Sequence, residues 1–145
     1  MNPWGLQEAI YDRLTEWAPL VELLASDPRP GMTDEPAIFD HAPQDAVTPY
    51  VVVGDDSAGE HDTDDTTGAD TSVAIHSFVE ERGRKTTKQI QREIYRALHR
   101  KEGAIEGDGF RIFGVDVDLM ESSVDPDGIT RHGVTRFRVL TEETT

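Results

Sequence analysis

The chain contains no cysteine, which removes disulfides, thiolate metal ligands and cysteine nucleophiles at once. Lysine is almost as scarce, with Lys85, Lys88 and Lys101 making up the whole complement. Aromatic residues are only 7% of the chain, and no apolar run approaches the roughly 18 residues that a membrane-spanning helix needs. The first 25 residues lack the basic start and uniform apolar stretch of a secretory leader, and carry Glu8, Asp12, Arg13, Glu16 and Glu22 instead. Positive charge is in short supply overall: 14 Lys and Arg stand against 29 Asp and Glu, a net −15. A surface of that sign repels phosphates, which disfavours general nucleic-acid binding.

What is present fits one domain over residues 1–145, since a length near 150 supports a single core. Sixteen aspartates and 13 glutamates would swell a chain by self-repulsion in dilute buffer. In molar salt the Debye length falls to about 3 Å and that penalty largely disappears. The composition therefore points to a salt-rich cytoplasm, as in halophilic archaea.

Apolar periodicity then lays out the elements. Leu6, Ile10, Leu14 and Trp17 share one face of a helix starting after Pro3, and Pro19 opens a shorter helical piece that turns Leu20, Leu23 and Leu24 inward. Residues 26–49 hold five prolines and read as an irregular connection with a short strand at Ile38 and Phe39. Two strands follow, at Tyr50 to Val53 and at Asp70 to Glu80, the second with Val73, Ile75 and Val79 on one face and His76 and Phe78 on the other. Between them, residues 55–70 are acidic and glycine-rich without a single Lys or Arg, so a mobile hairpin loop is expected.

Residues 84–101 form the clearest helix. At 100° per residue, Ile90, Ile94, Ala97 and Leu98 make one apolar stripe, and Arg84, Lys88, Arg92, Arg96 and Arg100 fall opposite it. Two alternating runs then flank the turn sequence Asp125-Pro126-Asp127-Gly128. A turn centred on Asp127 gives opposed residues an index sum of 254, which sets Asp116 against Arg138, Asp118 against Arg136, and Val117 against Phe137. The expected fold class is α+β: a mainly antiparallel sheet of about four strands with two helices over one face.

Chemistry-bearing patterns are sparse. The acidic segment Asp62 to Thr66 fails the calcium-loop template, because position six would be Thr67 and position twelve Val73. The histidines, His41, His61, His76, His99 and His132, show no metal-ligand spacing, and each stands without a nearby second histidine in the sequence. Nucleophile elbows, phosphate-cradling loops and dinucleotide fingerprints are missing, so nothing calls for catalysis or a cofactor. The cationic helix face is different in kind. Residues 82–101 hold eight of the fourteen bases and one acid, so a bipolar subunit could join its own copies head to tail and close into a ring. A solvated face is the bland alternative and contact with passing nucleic acid a third; for the chain as a whole, an acidic monomer mimicking DNA is a competing function.

The order of elements resembles the tail-terminator, or tail-completion, family of long-tailed phages. The residues that carry the resemblance are the amphipathic start from Leu6 to Trp17, the Ile38-Phe39 stretch, the strand Thr48-Pro49-Tyr50-Val51-Val52-Val53, and the closing Arg136-Phe137-Arg138-Val139-Leu140. The resemblance implies a fold related to tail-tube proteins and a structural virion protein, assembled in the host cytoplasm. Such proteins form hexameric rings that cap the tube and join it to the head connector or stopper, with genomic DNA passing through the lumen unbound and no membrane involved. A head-closure or adaptor ring of the same neck is the nearest alternative. On this reading Arg84, Lys88, Arg92, Arg96 and Arg100 form an interface, and Asp55, Asp56, Glu60, Asp62, Asp64 and Asp65 belong to a loop that docks on a neighbouring ring.

Overall fold

The computed structural model describes residues 1–32 and 34–144. The element order is α1 (Pro3–Thr15), α2 (Ala18–Val21), β1 (Ile38–Phe39), β2 (Tyr50–Glu60), β3 (Gly68–Glu80), α3 (Lys85–Leu98), a 3-10 turn at Glu102–Ala104, β4 (Phe110–Val124) and β5 (Thr130–Glu143). The five strands form one sheet in the order β1-β2-β3-β5-β4. Only the two-residue β1 runs parallel to its neighbour, and the other pairs are antiparallel. The sheet thus has five strands where about four were expected. The helical layer includes the single-turn α2, the short helical piece expected at Pro19.

The helices build one core against one face of the sheet. From α1 come Leu6, Ile10 and Leu14; from α3, Ile90, Ile94, Ala97 and Leu98; from the strands, Val51, Val53, Val73, Ile75, Val79, Val115, Phe137 and Val139. Full burial of a side chain such as Ile90 or Ile94 contributes roughly 1.5–3 kcal/mol. Alternate residues of β3 and β5 are buried, as a half-covered sheet requires. The other face, carrying Tyr50, Val52, His76, Phe78 and His132, stays partly exposed.

A helix comes unusually close to the sheet at Gly133. A Cβ there would meet Ser77 Oγ at 2.5 Å, Gln91 Nε2 at 3.0 Å and Thr87 Cγ2 at 3.2 Å. Only a residue without a side chain lets α3 settle there. Gln91, on the buried side of α3, donates from Nε2 to Glu121 O at 2.8 Å.

The β4–β5 register agrees with the expected index sum of 254 from Gly114 to Val117, including Asp116 opposite Arg138 and Val117 opposite Phe137. It does not hold beyond. Asp118 is an extra residue in a bulge, so Leu119 takes the place opposite Arg136 and the sum becomes 255 as far as Val124. A second shift lies between Ile112 and Gly114. The turn itself uses Asp127, whose Oδ1 accepts from Ile129 N and Thr130 N at 2.8 Å each, with Gly128 at φ +74°.

Residues 55–70 are mostly strand and not an irregular loop. β2 runs on to Glu60 and β3 starts at Gly68, with ladder pairs from Asp56 opposite Val73 to Glu60 opposite Ala69. The connection narrows to residues 61–67. Backbone pairing with β3 holds this segment although its side chains bury little.

Candidate assembly surfaces

Lys88, Arg92 and Arg96 lie on the exposed side of α3, as the helical wheel places them, whereas the helix is shorter than the expected 84–101 and leaves Arg84 and Arg100 exposed just outside its ends. Arg84 sits at the N-cap position without a side-chain capping bond. The ridge divides into two halves. Towards the C-terminus, Arg96 pairs with Glu93 at 3.1 Å and lies over the Trp17 ring at 5.8 Å. Arg100, at φ +56°, reaches Asp116 at 3.4 Å. Towards the N-terminus, Arg84, Lys88 and Arg92 have no ion-pair partner among the described residues. Their charge is free to act on something outside the chain.

The acidic hairpin is largely self-satisfied. Asp62 Oδ1 accepts from Gly68 N at 3.0 Å, Thr63 N donates to Thr66 O at 3.0 Å, and Thr63 Oγ1 donates to Asp65 Oδ1 at 3.1 Å. Asp70 pairs with Arg138 on β5 at 2.6 Å, and that guanidinium holds its carboxyl below the usual carboxylate range. Asp56, Glu60 and Asp64 are exposed. Asp55 departs from the ladder: it occupies the bulge between Gly54 and Asp56 at φ +52°, which swings its carboxylate onto His76.

That contact belongs to a cluster that sequence spacing missed. His76 on β3 and His132 on β5, 56 positions apart, bring Nδ1 and Nε2 to within 2.8 Å. Asp55 Oδ2 accepts from His76 Nε2 at 2.9 Å, and Asp125 lies 3.5 Å from His132 Nδ1. The expectation of isolated histidines fails here because β3 and β5 are sheet neighbours. Burial, then the charge of His76, pushes the His132 imidazole below its ordinary value, against an opposing pull from Asp125. Stacked rings extend from the pair across the uncovered face, His132 on Phe78 at 4.5 Å and Phe78 on Tyr50 at 4.9 Å, and the buried Phe39 lies tilted against Tyr50 at 6.0 Å. Among the described residues no three His, Asp or Glu side chains converge as a cation site.

One further surface carried only a faint sequence signal. Leu119 and Met120, adjacent apolar residues in an acidic strand, break the alternation of β4, and with Val124 and Ile129 they lie exposed at 44%, 42%, 43% and 62%. All four belong to the far end of the β4–β5 hairpin. In the ladder Leu119 stands opposite Arg136 and Met120 opposite Thr135, so the two present apolar surface on both faces of the edge strand.

Comparison with known proteins agrees with this architecture. A family model described as tail completion protein gp17 matches residues 8–142. The tail completion protein gp17 of Bacillus phage SPP1 is 27% identical over 134 residues, which cover 92% of this chain and 90% of that protein. A chain in the virion of a native gene transfer agent particle has the same fold, with a TM-score of 0.81 at 20% identity over 97% of this chain and 96% of that one.

Proposed function

The chain belongs to the tail completion protein gp17 family, and from that membership we propose that it forms a hexameric ring that caps the tail tube, ends its growth and joins the tail to the head connector or stopper. Its role is structural, as a component of the virion, and it acts by association. The observation that carries the ring is the split of charge within one chain: among the described residues Arg84, Lys88 and Arg92 stand without ion-pair partners along one exposed helix side of a protein whose net charge is −15. A positive ridge and an anionic remainder on every copy favour head-to-tail contacts, which close when the rotation allows. An anionic lumen would let DNA pass without adhering. The acidic residues Asp55, Asp56, Glu60, Asp62, Asp64 and Asp65 are proposed to face the neighbouring ring, and the acid-rich, lysine-poor composition supports a host with a salt-rich cytoplasm, as in halophilic archaea.

Light scattering in molar potassium chloride tests the ring, with and without tail tubes. The expected mass is about six times that of the monomer, in line with closed cyclic assembly. Reversing Arg84 and Arg92 to glutamate should leave the circular dichroism unchanged and shift the population to monomer. A wild-type chain that stays monomeric in both conditions refutes the reading.

A further inference from the structure

The outer edge of β4 is treated differently along its length. As far as Val117 it is covered: Arg100 N donates to Val115 O at 2.7 Å, and Val117 N donates to His99 Nδ1 at 3.0 Å. Beyond Val117 the only added partner among the described residues is the Gln91 side chain on Glu121 O. Along this uncovered stretch and the turn that follows stand Leu119, Met120, Val124 and Ile129, four of the nine exposed large apolar side chains among the described residues. Asp118 and Glu121 lie among them, exposed and without ion-pair partners. Isolated edge strands are normally shielded by charge or cover, and an apolar patch rimmed by polar groups marks a contact surface.

The charges identify its occupant. Among the described residues Asp118 and Glu121 of this hairpin have no base to meet, and Arg84, Lys88 and Arg92 along α3 have no acid. Both unmatched sets recur on every copy. We infer that the far end of the β4–β5 hairpin, residues 118–130, seats on the N-terminal half of α3 of a second copy. There Asp118 and Glu121 meet Lys88 and Arg92, and Leu119 and Met120 pack along the aliphatic stems of those long side chains. Lysine and arginine can do both jobs, since their methylene stems cover apolar surface while the charged heads stay at the rim. Such a contact survives salt: with a Debye length of about 3 Å in molar salt, only direct charge pairs persist, and apolar burial is not screened. The contact is heterologous, as a ring needs, and the inference rests on the ring reading.

The test is the mass of variants by light scattering, with folding checked by circular dichroism. Leu119→Asp with Met120→Asp, both already exposed, should fold and lose at least tenfold in assembly affinity. Leu119→Ser with Met120→Ser serves as the milder pair should the first disturb folding. Asp118→Lys with Glu121→Lys, and separately Lys88→Glu with Arg92→Glu, should each weaken assembly, and the four changes together should restore it. A wild-type ring that the Leu119 and Met120 pairs leave intact, or a fourfold variant no better than its parents, overturns the hairpin contact while the ring reading stands. A wild-type monomer on tail tubes overturns both.

Discussion

The two long hairpins share a topology and differ at their far ends. β2–β3 ends in aspartates, threonines and glycine whose polar groups are largely answered from within, by Asp62 on Gly68 and by Thr63 on Thr66. β4–β5 ends in exposed apolar side chains and a bulge that leaves Asp118 outside the ladder. A charged tip of the first kind is stable in water. The second leaves apolar surface in water, a cost of roughly 25 cal/mol for each Å² that a partner could cover. The same supersecondary unit thus ends once in polar groups met from within and once in exposed apolar side chains, although the acidic run is the more conspicuous of the two in the sequence.

The largest effect separating the hairpins should come from their glycines. Gly133→Val places a side chain where Ser77 Oγ, Gln91 Nε2 and Thr87 Cγ2 already stand within 3.2 Å. Overpacking of this kind costs about 1–3 kcal/mol, enough to shift a denaturant midpoint visibly. Gly59→Val on β2 meets nothing within 4 Å and should stay within about 0.5 kcal/mol of wild type. Equal losses at the two sites would mean that α3 does not rest on β5 as described.

A smaller effect comes from the joint between the hairpins, where His76 and His132 meet. With the Nε2 proton of His76 given to Asp55, His76 Nδ1 accepts from His132 Nε2 across the 2.8 Å contact, and a proton added to His132 charges a part-buried ring beside His76. The folded state holds the His132 imidazole below its ordinary value, whereas the unfolded chain takes up the proton near pH 6.5. Stability from this site is therefore complete above about pH 6.5 and is lost as pH falls from there towards the folded value. Thermal melts between pH 8 and pH 5 should show a decline that His132→Asn flattens; a parallel decline in the variant would count against the joint.

Much of this layout could be read from the sequence, and the exceptions share a cause. The faces of α3 follow from helical periodicity because Ile90, Ile94 and Leu98 repeat without interruption. The register near Val115 and Val117 follows from the Asp-Pro-Asp-Gly turn. Bulges at Asp55 and Asp118 escape a two-residue alternation, since an inserted polar residue in a polar strand leaves the pattern looking unbroken. The His76–His132 contact depends on which strands become neighbours, which no local spacing encodes. The extension of β2 to Glu60 is carried by backbone bonds, and side-chain patterning is silent about those.

The smallest effect tests register directly and distinguishes two arginines on one strand. An unbulged hairpin would set Asp118 opposite Arg136, but the bulge turns Arg136 towards Ser72, whose Oγ accepts from Nη1 at 3.3 Å, and leaves Leu119 across the ladder. Arg138 instead bridges the hairpins to Asp70, at 3.0 Å and 2.6 Å through two nitrogens. A double-mutant cycle on Asp70 and Arg138 should therefore give a favourable coupling, and one on Asp118 and Arg136 should be additive. Because Arg138 holds the Asp70 carboxyl below the carboxylate range, its coupling should be full at neutral pH. It should fade as pH falls through the ordinary carboxylate value and below. A coupling at Asp118 and none at Asp70 would restore the unbulged register, which sets Leu119 opposite the buried Thr135.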